Sequence, residues 1–185
     1  MMRNILSTLT PAALLLLTLT NGAQAASNTT VQITGSVVAA TCDVSSSTTN
    51  LDLGNYTPSD FTAVATPIAN SVQQFVVSLT NCQNPLEIGD MANLVVTGTT
   101  LGGSTNIFNT SGTNAGVMLS QTSTPAAFIN SGDKLLVSTA TKTSDASDFN
   151  GKSLSFNAGL ASSSSLNGVN TGAVSAPITF QFVYN

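Results

Sequence analysis

Apolar residues return at every second position in short bursts along most of this chain, and no stretch carries a helical period long enough for an amphipathic helix. "TTVQITGSVV" places Thr29, Val31, Ile33, Gly35 and Val37 on one face, and "QFVVSL" places Phe75, Val77 and Leu79 there. The same alternation gives Leu94 and Val96 in "NLVV", Val117 and Leu119 in "GVMLS", and Leu154, Phe156, Ala158 and Leu160 in "SLSFNAGL". The last burst, "ITFQFVY", aligns Ile178, Phe180, Phe182 and Tyr184. Successive side chains of a strand point to opposite faces, so each burst reads as a strand with one side buried. Turn-rich clusters at 45–50, 98–106, 109–116, 130–133 and 162–168 separate them. "TPSDFTAVATPIAN" holds at most one helical turn. The pattern predicts an all-β fold of two packed sheets, in one domain.

The first 25 residues read as an export signal. Arg3 supplies the positive charge, "AALLLLTL" is an apolar core too short to span a bilayer, and "AQA" at 23–25 fits a small-x-small cleavage site. The mature chain is expected to start near Ala26, exported and soluble. Its three lysines, Lys134, Lys142 and Lys152, face eight carboxylates. Nucleic acid and anionic membrane surfaces reward clusters of Lys and Arg, so neither is an expected partner. Cys42 and Cys82 are the only cysteines, and in an oxidising compartment they read as one disulfide.

Catalysis finds little to work with. The chain has no histidine, the usual base for a Ser or Cys nucleophile. Each lysine sits in a polar loop or at a strand edge, where a depressed pKa and a Ser–Lys pair are not expected. The acids Asp43, Asp52, Asp60, Glu87, Asp90, Asp133, Asp145 and Asp148 read as solvated loop residues rather than as a glycosidase pair. "SDASD" lacks the glycine and closing glutamate of a calcium loop, and "LGGSTN" lacks the helix and lysine of a phosphate cradle. "NTT" at 28–30 and "NTS" at 109–111 match the short N-glycosylation pattern. No enzyme activity, metal or cofactor is expected.

The termini carry the most information. "ITFQFVY" combines β-branched and aromatic residues with no charge and no proline, a composition prone to aggregate as an open edge. Two readings fit these residues. The sandwich closes both terminal strands within itself, or one terminal strand is lent to a neighbour and adds to an exposed edge.

The order and spacing of several motifs then resemble pilin subunits of the chaperone–usher pathway, the type 1 fimbrial family. They are "VQITGSVVAATC" at 31–42, "LTNC" ending at Cys82, "GVMLS", Gly172 ahead of the last strand, and the penultimate Tyr184. The resemblance implies an incomplete immunoglobulin-like β-sandwich completed by a donor strand from a neighbouring subunit. It divides the chain into a signal peptide (1–25), a donor-strand extension (26–38) and a pilin domain (39–185). Val31, Ile33 and Val37 would enter groove pockets, with Gly35 where no side chain fits. Gly172, Ile178, Phe180, Phe182, Tyr184 and the carboxylate of Asn185 would form the groove edge and the chaperone-binding strand. The implied partners are neighbouring pilin subunits, a periplasmic chaperone and an outer-membrane usher, with a fimbrium on the bacterial surface as the destination. With cleavage after Ala25, only Ala26 to Thr41 precede Cys42, closer to a minor adaptor subunit than to a main-shaft subunit. The alternative role is a single-domain adhesin whose loops, such as 98–115, contact a host receptor.

Overall fold

A computed structural model describes residues 41–185. The signal (1–25) and the extension with Val31, Ile33, Gly35 and Val37 lie outside the described residues. Eight strands follow in chain order: β1 (Asp43–Ser46), β2 (Gln73–Thr80), β3 (Met91–Gly98), β4 (Ala115–Gln121), β5 (Thr124–Phe128), β6 (Lys134–Thr139), β7 (Ser153–Ser162) and β8 (Ile178–Tyr184). They form a five-stranded sheet ordered β1-β2-β7-β4-β5 and a three-stranded sheet ordered β6-β3-β8, every pair antiparallel.

The alternating residues meet between the sheets. Val77 and Leu79 of β2, Leu94 and Val96 of β3, Leu119 of β4, and Phe156 and Ala158 of β7 are all buried in one cluster. Phe156 stacks on Phe75 at 5.3 Å and meets Phe180 of β8 at 5.1 Å, so three strands from both sheets share one aromatic contact. The Cys42–Cys82 disulfide closes the β1–β2 pair at the point where Asp43 opposes Thr80.

The structure adds to the sequence reading in four places. β5 and β6 carry almost no alternation: β5 is exposed at Thr124 to Ala127, and Leu136 of β6 points to solvent between Leu135 and Val137. Ser45 and Ser46, in a cluster read as a turn, belong to β1. β4 is buried on both faces because the segment after β3 folds back over it. Phe108 and Val117 exchange backbone hydrogen bonds of 2.8 and 2.9 Å, and Ile107 packs on Met118 and Ala161 in a second small cluster. The stretch 57–71 holds two single 3₁₀ turns, Pro58–Asp60 and Ala69–Ser71.

Replacing both cysteines by alanine removes a cross-link between residues 40 apart in sequence. On the chain-entropy account the domain is expected to lose roughly 4 kcal/mol of unfolding free energy, read as a lower urea midpoint.

Candidate functional site

β8 is hydrogen-bonded to β3 on one side and, among the described residues, to no strand on the other. Asn185 and Met91 exchange backbone bonds of 2.9 and 3.1 Å. Hydrogen-bonded pairs alternate along an antiparallel ladder, so the register makes Val183, Gln181 and Thr179 the residues bonded to β3. The N–H and C=O groups of Ile178, Phe180, Phe182 and Tyr184 therefore face the open edge. The side chains of these same four residues pack against the core. One set of residues supplies both the buried face and the unpaired edge.

Beside this edge runs a groove. Two adjoining cavities of about 720 and 400 Å3 share Leu51, Leu53, Val117, Val174 and Ala176. The floor of the larger one is made by Phe75, Leu119 and Ala158 of the five-stranded sheet, where the three-stranded sheet does not reach across. One wall is Ile178 and Phe180 with the segment leading into them. Ser175 gives its carbonyl to the N–H and hydroxyl of Thr110, at 2.8 and 3.0 Å, while Val174 and Ala176 line the groove on either side of it. The other wall is the segment after β1, where Ser47 ends the ladder on Val76 and the chain runs past Leu51 and Leu53. Gly172 lines the smaller cavity with φ +153°, and a Cβ there would come within 2.8 Å of Thr113 Cγ2. A side chain at 172 is opposed both by the backbone conformation and by that contact.

The C-terminal end of β8 is clasped to the turn before β3. Asp90 Oδ2 accepts the N–H groups of Leu86 and Glu87 at 3.0 and 2.7 Å and the hydroxyl proton of Tyr184. The Leu86 N–H also reaches Tyr184 Oη at 2.9 Å, and the ring meets Phe149 edge-on at 6.3 Å. Lys134 Nζ donates to Asn185 Oδ1. The Tyr184 hydroxyl holds the Asp90 carboxyl below the usual carboxylate range, helped by the Glu87 and Leu86 amides. Burial, then the Asp90 hydrogen bond, pushes the Tyr184 phenol up.

The structure thus sets Gly172, Ile178 and Phe180 in the wall of the groove, carries Phe182, Tyr184 and Asn185 beyond it along the same strand edge, and joins Cys42 to Cys82. The opposite wall, Leu51 and Leu53, has as its only sequence signal a two-residue alternation inside a polar stretch. Asp90, expected as a solvated loop acid, instead partners Tyr184 from 94 residues away, a contact that no local pattern signals. Asn109, in "NTS", is 4% exposed, and its side chain is spent on Thr113, Ala115 and Ser111, which leaves the amide no room for a glycan in the folded chain. Within the 98–115 loop, Ile107 and Phe108 are buried.

The family model described as "Fimbrial protein" matches residues 31–185. The crystal structure of the P pilus rod subunit PapA is similar with a TM-score of 0.54 and 20% identity, over 84% of this chain and 99% of that one. That likeness is one of fold, an all-β immunoglobulin-like sandwich. A structure of a chaperone–usher pilus, concerned with rod uncoiling, aligns with a TM-score of 0.48 and 17% identity over 86% of this chain and 97% of that one. No curated protein matches the sequence.

Tyr184→Phe removes the strongest hydrogen bond to Asp90, so the Asp90 pKa is expected to rise toward its ordinary value of 3.8. A carboxylate with a lowered folded-state pKa contributes stability that is complete above its unfolded value and is lost as pH falls through the folded one. The unaltered chain should therefore hold this clasp further into acid than the variant, as followed by carboxyl-carbon NMR from pH 6 to about 2. An unchanged Asp90 titration would assign the shift to the backbone amides alone.

Proposed function

Because the chain belongs to the fimbrial protein family, we propose that it is a polymer-forming subunit of a cell-surface fimbria whose groove is filled by the N-terminal strand of a neighbouring copy. The observation that carries this reading is the coincidence of a β8 edge that no strand among the described residues pairs with and a groove of apolar floor on the same side of the sandwich. A strand laid there would pair with the free N–H and C=O groups of Ile178, Phe180, Phe182 and Tyr184. It would also cover Phe75 and Val117, the half-buried apolar residues of the groove. Strand addition of this kind draws affinity from main-chain bonds and specificity from alternate side chains.

Residues 26–38 are the donor. Val31, Ile33 and Val37 enter the groove, each worth about 1.5–3 kcal/mol on full burial, and Gly35 passes where the backbone comes close. Residues 1–25 direct export and 39–185 form the pilin domain. During transit through the periplasm a chaperone pairs with β8 and holds the Asn185 carboxylate, which keeps the aggregation-prone edge from premature pairing. At an outer-membrane usher the incoming donor replaces it, and the finished fimbrium supports adhesion. The subunit's own task is mechanical and needs no cofactor.

The test is thermal unfolding of residues 39–185, disulfide formed, with and without a peptide of residues 26–38. At a peptide concentration of a hundred times Kd the expected stabilisation is about 2.7 kcal/mol, a rise of roughly 5–11 °C in a domain of this size. Ile33→Asp in the peptide should abolish it. A domain indifferent to the native peptide would be a sandwich closed on its own residues, and the polymer reading would fall.

A further inference from the structure

The turn between β2 and β3 exposes two large apolar side chains close together: Leu86 is 63% and Ile88 72% exposed. Both belong to a rigidly held turn. Asp90 gathers the Leu86 and Glu87 amides, Tyr184 adds its hydroxyl, Gly89 N–H bonds Ala140 O at 2.9 Å, and Ala140 N–H returns to Asp90 O at 2.8 Å. Gly89 makes the turn at φ +101° with open space where a Cβ would stand. Fixing a backbone in advance lowers the ordering cost of binding through it.

The position of the turn identifies what covers it. Thr41 is where the chain enters the described domain, and its carbonyl accepts the Gln83 N–H at 2.9 Å beside the Cys42–Cys82 bridge. The Leu86–Ile88 tip begins three residues after Gln83. If residues 26–38 occupy a neighbour's groove, only residues 39 and 40 separate the inserted strand from Thr41. Three residue steps span at most about 11 Å. The neighbour's body must then stand against this end of the sandwich, over the tip.

We infer that the Leu86–Ile88 turn is a docking knob for a second copy of this chain, seated against the rim of the neighbour's groove where the connecting residues enter it. This rests on the donor-strand reading and adds a second contact at each joint. The inserted strand links two copies through a short connection, and the knob limits how they swivel about it. Because residues 39 and 40 are too short to act as a free linker, the knob and the inserted strand reach the neighbour together, and each raises the effective concentration of the other.

Assembly of the full exported chain tests this, comparing the unaltered sequence with Leu86→Asp/Ile88→Asp. Both side chains project into solvent in the single subunit, so the variant is expected to fold with an unchanged melting temperature and to respond to the 26–38 peptide as the unaltered domain does. Fibre yield by sedimentation is expected to fall at least about tenfold, since carboxylates would be buried at every joint. Ser123→Asp, in the exposed turn between β4 and β5, is expected to assemble normally. Normal assembly of the double variant with an intact peptide response would overturn the knob alone. An equal loss with Ser123→Asp would overturn it as well, by showing that added charge anywhere blocks assembly. A failed peptide response in the unaltered domain would bring down the donor-strand reading, and the knob with it.

Discussion

One property of β8 underlies the rest of the fold: its inward-facing residues are also the residues whose backbone groups pair with no strand among the described residues. Ile178, Phe180, Phe182 and Tyr184 are held in place by core contacts, with Phe180 set against Phe75 and Phe156. Those contacts fix a strand edge that the described domain leaves open. An ordinary sandwich blunts such an edge with charge, proline or a bulge. β8 has none of these, and a groove with an apolar floor runs alongside it. The proposed insertion of another strand would use both features, the bare ladder for its main-chain bonds and the groove for its side chains.

The polar residues maintain this arrangement. The aspartates serve as loop clamps: Asp52 takes the Gly54 amide, Asp60 that of Thr57, Asp133 that of Asn130, Asp145 that of Ser147 and Asp148 that of Thr141. Hydrogen bonds to Asp60, Asp90, Asp145 and Asp148 lower their pKa values, so these clamps persist in mild acid. Buried Asn109 and Ser71 do the same work without charge, Ser71 Oγ giving its proton to Ile68 O and accepting the Leu160 N–H. Of these clamps, that of Asp52 stands in the lining of the smaller cavity.

The strands with a clean period of two were legible in the sequence because one face of each meets the core. β2, β3, β7 and β8 all fall where alternation places them. β5 escaped because its order comes from pairing with β4 rather than from burial, and β6 because exposed Leu136 stands between the core-facing Leu135 and Val137 and masks their alternation. β4 was legible as a strand but not as one buried twice, since its second cover is a loop that reads as turn residues. Of the groove, the β8 wall and Gly172 were visible, while the Leu51–Leu53 wall and the Asp90–Tyr184 clasp arise from contacts between distant segments. No local pattern encodes those contacts.

The most direct test of the central claim is amide hydrogen exchange along β8, compared between the subunit domain (39–185) and the assembled polymer. Pairing with β3 alone predicts slow exchange at Thr179, Gln181 and Val183 in both states. The amides of Ile178, Phe180, Phe182 and Tyr184 should exchange fast in the domain and become protected in the polymer. Uniform protection along β8 in the isolated domain would contradict the account, because the edge would then be closed without a neighbour.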